Sequence, residues 1–284
     1  MIRRVKAVAL ATHAVLIGGC SATHLLTAIT PDQQVRVVRN VAYGQHPRQM
    51  LDIYQPALQG QYPVVVFVYG GSWQNGDRTG YGFVGKRLAQ AGYVTVVIDY
   101  RLAPEHRYPA FVQDTADAIG WTYRQIAQYG GDPMRIAVMG HSAGAFNAIT
   151  AIDDLRFWQT TGVPDQAICT VIGLAGPYAY DFRTDPTKIA FPVDGHPDSI
   201  MPDRIARTGA PPHVLLIGEK DTVVGRFNAT RLQARLQQQG VPVVLQDIKR
   251  VNHASMIVAF TPIFNRLGQT PQIVLDYLNA ACQK

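Results

Sequence analysis

Cysteine is scarce, with three in 284 residues, too few for a disulfide scaffold. Charge is scarce as well. Asp, Glu, Lys and Arg make up 16% of the chain, against about 25% in an average soluble domain, whereas a disordered chain would be polar and highly charged. No apolar run reaches the ~18 residues that a membrane span needs, which excludes a multi-span membrane protein. The eight histidines show no paired ligand spacing, so neither a metal nor an organic cofactor is expected. The basic excess, 26 Lys and Arg against 20 Asp and Glu, is small and scattered, so nucleic acid is not an expected partner. What is abundant is apolar sequence, at 47%. One α/β domain with a large core is enough at this length.

The N-terminus reads as processing. Arg3, Arg4 and Lys6 precede a short apolar stretch from Ala7 to Ile17, the layout of a secretory signal over residues 1–19. Ile17-Gly18-Gly19-Cys20 resembles a bacterial lipobox, which implies export and lipid attachment at Cys20 in the cell envelope. Residues 20–34 are small and polar and are expected to form a tether. Export would permit a disulfide, but Cys169 and Cys282 are read as free thiols, since cysteine often serves as a small hydrophobe.

From residue 35 onward, strand-like and helical runs alternate. Val35–Val41 and Met50–Tyr54 form a candidate hairpin. Val64–Tyr69, Val94–Asp99, Arg135–Gly140, Ile168–Ala175, Val214–Glu219 and Val243–Ile248 are near-continuous apolar runs. Such strands are buried on both faces, as in a parallel sheet covered by helices. Val112, Ala116, Ile119, Tyr123 and Ile126 form one helical stripe. Asn228–Gln239 is a second helix, and Val274, Tyr277, Leu278 and Ala281 mark a third. Residues 177–212 break the rhythm with Pro186, Pro192, Pro197, Pro202, Pro211 and Pro212, and read as a lid insertion.

Gly140-His141-Ser142-Ala143-Gly144 lies between a buried strand and a helical run. That context makes Ser142 a candidate nucleophile on a sharp strand-to-helix turn, where flanking glycines allow close packing. A serine needs a base, and the base needs an orienting acid. The expected chain order is Ser, acid, His. His196 lies in the insertion and His213 at the wrong end of a strand, which leaves His253. Asp221 follows the strand Val214–Glu219 on the same rim, with Glu219 as nearest rival and Asp198 and Asp203 in the insertion. The Tyr69-Gly70-Gly71-Ser72-Trp73 turn lets backbone approach a substrate oxygen. Oxyanion donors are expected at the amides of Gly71, Ser72 and Ala143.

These pieces resemble a known family. Leu51-Asp52-Ile53-Tyr54, Gly70-Gly71-Ser72-Trp73, Asp99-Tyr100-Arg101-Leu102-Ala103-Pro104-Glu105, Tyr129-Gly130-Gly131-Asp132-Pro133 and the Gly-His-Ser-Ala-Gly turn look like the α/β-hydrolase esterases of the hormone-sensitive-lipase and feruloyl-esterase-like type. The prenylcysteine methylesterase and kynurenine formamidase branch is the most similar in feel. The resemblance implies an α/β-hydrolase fold over residues 35–284, with a mostly parallel central sheet and helices on both faces. It carries the catalytic roles to Ser142, Asp221 and His253. One departure is Tyr69, where the family usually has histidine before the two glycines. Asp99 and Arg101 are expected to pin loops through ion pairs.

The implied activity is serine carboxylester hydrolysis through an acyl-enzyme on Ser142, with a small-molecule ester as partner. The alternatives are an amidase, formamidase or peptidase with the same triad, and a non-catalytic binding protein on this fold. The polar insertion implies a shallow mouth and short acyl groups. A competing view makes Trp73, Tyr178 and Tyr180 an aromatic slot for a bulky group, with Trp73 and Tyr178 as pocket residues.

Overall fold

The computed structural model describes residues 22–283. The signal segment of residues 1–19 and Cys20 therefore lie outside the described residues. Among those residues, β1 (Val35–Ala42), β2 (Met50–Pro56), β3 (Tyr62–Val68), β4 (Val94–Ile98), β5 (Gly131–His141), β6 (Ile168–Leu174), β7 (His213–Gly218) and β8 (Val243–Ile248) form one sheet. Its spatial order is β1-β2-β4-β3-β5-β6-β7-β8. The first two strands are the expected hairpin, and β2 pairs antiparallel with β4. From β4 to β8 every pairing is parallel.

The continuous apolar runs have the reason anticipated for them. Val64–Val68, Val94, Val96–Ile98, Ile136–Met139 and Leu215–Leu216 are sealed from solvent, because helices cover both sides. Right-handed crossovers put α2 (Gly82–Gln90) on one face and α3 (Ala110–Gln125), α4 (Ala143–Asp153) and α7 (Phe227–Gln238) on the other. The C-terminal α9 (Thr270–Cys282) returns to β5 and β6. The central strands therefore point their carboxyl ends to one rim, where open α/β sheets bind ligands.

Two expectations are corrected. Residues 22–29 are helical rather than a free tether. This helix, α1, buries Leu26 and is held by polar bonds to α2. Thr27 Oγ1 donates to the Gly80 carbonyl at 2.8 Å, and Lys86 Nζ donates to the carbonyls of Thr27 and Thr30 at 3.0 and 2.7 Å. Cys169 and Cys282 are not free thiols but a disulfide that joins β6 to α9. Hydrophobicity placed both residues inward; the returning α9 brings them together.

The insertion contains short 3₁₀ turns and α6 (Pro202–Ile205), separated by α5 (Leu155–Thr161) and β6 from the helices before it. Asp181 and Asp185 accept from Arg183 N and Thr187 N and so start two of the turns. Phe182, Phe191, Ile200 and Met201 are buried, whereas Ile189 and Val193 are exposed. No described helix is long and apolar enough to cross a membrane.

The disulfide spans a sequence separation of 113 residues, and a crosslink of that length removes much freedom from the unfolded chain. Cys169→Ser should lower the unfolding free energy by about 2–5 kcal/mol, measured by urea titration without reductant. A change within 0.5 kcal/mol (roughly the scatter of ordinary surface substitutions) would mean that the bond does not form.

Candidate active site

The site is built where β5 turns into α4. Ser142 occupies that turn with φ 54° and ψ −125°, a left-handed region that non-glycine residues rarely adopt. Such strain costs of order 1–3 kcal/mol and persists only where the surroundings over-determine it. The glycines supply the surroundings. A Cβ on Gly140 would strike the Gly144 carbonyl, and one on Gly144 would strike the carbonyl oxygens of Val68 and Tyr69. A Cβ on Gly70 would lie 2.9 Å from Ser142 Cβ. Three backbone segments thus meet closer than side chains permit.

The predicted triad residues come together. His253 Nε2 lies 2.9 Å from Ser142 Oγ, and His253 Nδ1 lies 2.8 Å from Asp221 Oδ2. His253 is the first residue of α8 (His253–Val258), whose start is fixed by a reciprocal capping box between Asn252 and Ser255. Asp221 lies in the turn after β7, and its Oδ1 accepts from the amides of Val223 and Val224 at 2.8 and 3.0 Å. Burial pushes the Asp221 carboxyl up, but the His253 hydrogen bond and those amides outweigh it and leave it below the usual carboxylate range. An ionised Asp221 accepts from Nδ1–H, which leaves Nε2 free to receive the serine proton.

The rivals point elsewhere. Glu219 Oε2 accepts from Arg250 N at 3.0 Å. Asp198 and Asp203 pair with Arg204, and His196 with Asp198. His213, at the opposite end of the sheet, donates from Nδ1 to Pro211 O at 2.7 Å and faces the buried Asp153.

The Gly70–Trp73 turn lies against the nucleophile turn, because Val68 pairs with Gly140. Gly71, Ser72 and Trp73 all have positive φ, at 135°, 54° and 60°. Among the described residues, no backbone carbonyl outside regular elements takes the amides of Gly71, Ser72 or Ala143. Beneath this turn Tyr69 does what the sequence left open. Its hydroxyl donates to Asp99 Oδ1 at 3.0 Å and accepts from Arg48 Nη2 at 2.6 Å, and its ring stacks on Tyr81 and Tyr100. Asp99 also takes the Arg78 amide and guanidinium, and Arg101 grips Asp114. Both are loop-pinning ion pairs, as expected.

Trp73 and Tyr178 do not line an open pocket; each is 1% exposed. Trp73 is enclosed by Phe111, Phe146 and Phe191. Tyr178 fills the space that the missing side chains of Gly173 and Gly176 leave open. Large rings at an irregular rim gain more from burial than from waiting for a ligand.

Sequence reasoning passed over His141. Its Nε2–H donates to the His253 carbonyl at 3.1 Å, and the two rings lie 4.9 Å apart. Burial, reinforced by His253, pushes its pKa down to about 3, so it is neutral in the folded protein. The unfolded chain takes up this proton near pH 6.5, the folded one only near 3. His141 therefore destabilises the fold progressively as pH falls through that interval. In denaturant titrations at pH 7, 5 and 4, wild type should lose more stability than His141→Gln. Parallel losses in both proteins would mean that His141 titrates as it does when unfolded.

Comparison with known proteins agrees with this architecture. Residues 51–154 match the BD-FAE family model. Esterase LipC of Mycobacterium tuberculosis is 34% identical over 223 residues, covering 70% of this chain and 55% of LipC. Isoprenylcysteine alpha-carbonyl methylesterase ICME of Arabidopsis thaliana is 40% identical over 121 residues, 42% of this chain and 28% of that protein. The chain thus spans about half the length of LipC, and less of the plant enzyme. Among solved structures, esterase B from Lactobacillus rhamnosis superposes with a TM-score of 0.79 at 19% identity, over 98% of this chain and 96% of that one. The chain has the α/β-hydrolase fold, and its residues 51–154 are similar to the BD-FAE family.

Proposed function

We propose that this chain is a serine carboxylesterase acting on small, short-acyl esters. The observation that carries the reading is the line from Ser142 Oγ through His253 to Asp221, with hydrogen-bond distances of 2.9 and 2.8 Å. His253 Nε2 takes the hydroxyl proton as Ser142 Oγ attacks the ester carbonyl. Asp221 holds the tautomer and stabilises the imidazolium. The negative charge forming on the carbonyl oxygen is met by the amides of Gly71, Ser72 and Ala143. His253 then protonates the leaving alcohol, and water activated by the same nitrogen releases the acid from Ser142. The relatives named esterase or methylesterase support the reaction class.

The short-acyl preference rests on the insertion. Phe182, Phe191, Ile200 and Met201 are buried, which leaves Ile189 and Val193 as its exposed large hydrophobes, beside the exposed Asp181, Arg183, Lys188, Asp198 and Arg204. A long acyl chain would find little apolar wall, at roughly 0.8 kcal/mol forgone per unburied methylene. On p-nitrophenyl esters, Ser142→Ala should lower kcat by about 10⁴-fold or more with folding intact, and Asp221→Asn nearly as much. Wild-type kcat/KM should be highest from acetyl to butyryl. Near-normal turnover in Ser142→Ala would end the serine reading; a tenfold preference for octanoyl or feruloyl over acetyl would end the short-acyl one.

Export and lipid attachment at Cys20 are part of the same proposal. They are supported by Ile17-Gly18-Gly19-Cys20 and by the Cys169–Cys282 disulfide, which fits an oxidising compartment. Mass spectrometry of membrane-extracted protein should give a chain that starts at Cys20 with added acyl mass. An unmodified chain, or one that starts beyond Cys20, would refute it.

A further inference from the structure

The candidate oxyanion donors come from two separate pieces of chain. The amides of Gly71 and Ser72 belong to the turn after β3, and that of Ala143 belongs to the first turn of α4. To share one oxygen, the two pieces must keep a fixed spacing. The β3 turn is poorly suited to hold itself, because three consecutive residues have positive φ, at 135°, 54° and 60°. Within the turn, Gln74 N and Asn75 N both donate to Gly71 O. Those bonds shape the turn but do not tie it to α4.

One side-chain bond does. Trp73 Nε1–H donates to Asn147 Oδ1 at 2.8 Å, and among the described residues it is the one side-chain hydrogen bond between residues 70–76 and α4. Both partners are sealed from solvent, Trp73 at 1% and Asn147 at 0% exposure, so water does not compete for the bond. Asn147 lies little more than one turn along the helix that Ser142 begins. Phe111, Phe146 and Phe191 settle where the indole sits; the N–H fixes how it is turned.

We propose that Asn147 is a positioning residue that holds the oxyanion turn in register with the nucleophile through Trp73. Packing alone does not account for an asparagine here. Its Nδ2 is buried without a partner, which burdens the fold, and a leucine of similar size would fill the space without that burden. The bond also gives Phe191, and with it the insertion, a part in catalysis: the insertion backs the indole that sets the oxyanion turn.

The inference rests on the esterase reading, and the test separates the two. With p-nitrophenyl acetate, Asn147→Leu and Trp73→Phe should each lower kcat at least thirtyfold while KM stays within threefold, because the loss falls on the transition state. The double variant should be no slower than the worse single one, since both remove the same bond. Circular dichroism should show folded protein in all three. A kcat within threefold of wild type in folded Asn147→Leu, or multiplying losses in the double variant, would overturn the proposal. A second readout needs no substrate: in ¹H–¹⁵N spectra the Trp73 indole proton should resist exchange in wild type and lose that protection in Asn147→Leu. Rapid exchange in wild type would overturn the proposal by itself. Absence of turnover in wild type would instead overturn the esterase reading.

Discussion

Everything at the rim that carries Ser142 depends on a steric constraint: backbone must touch backbone around that residue. The carbonyls of Val68 and Tyr69 occupy the place where Gly144 would carry a side chain, and the Gly144 carbonyl does the same to Gly140. This contact forces β5 to turn sharply into α4 and drives Ser142 to φ 54°. The strain presents Oγ at the tip of the turn instead of against a helix face. It also places the N-terminus of α4, with its unpaired amides, where negative charge would develop.

The chain concentrates its few charges to support this arrangement. Arg78 binds both Asp52 and Asp99, Arg48 reaches Tyr69, and Arg101 holds Asp114. Asp52, Asp99 and Asp114 are buried, so each needs its partner to offset desolvation. The result is a rigid polar floor under a strained turn. Tyr69 is the joint between the two, with its backbone in the turn and its hydroxyl in the floor. A phenol stacked between Tyr81 and Tyr100 provides that joint.

How much of this was legible depended on whether the signal was local. The parallel strands could be read because burial on both faces removes polar residues from runs such as Val64–Val68. Ser142 could be read because a turn that tolerates no Cβ writes glycines beside it. Asp221 and His253 followed from position after β7 and β8, since sheet topology fixes which end of a strand faces the site. The contacts that escaped are non-local. Tyr69 meets Asp99 across 30 residues, Trp73 meets Asn147 across 74, and Cys169 meets Cys282 across 113. Helix α1 escaped for another reason. Ala22, Leu25, Leu26 and Ile29 fall at helical spacing, but Leu26 is the one large hydrophobe among them that is buried, and the hold on α2 comes from Thr27 and Lys86.

The course of α1 has a geometric consequence. His24 meets Thr79, Thr27 meets Gly80 and Phe83, and Lys86 reaches the end of the helix at Thr30. The helix therefore runs alongside α2 in the same direction, and α2 begins at the carboxyl end of β3. Residue 22 is thus delivered to the end of the sheet that carries Ser142, and the strand beginnings lie at the far pole.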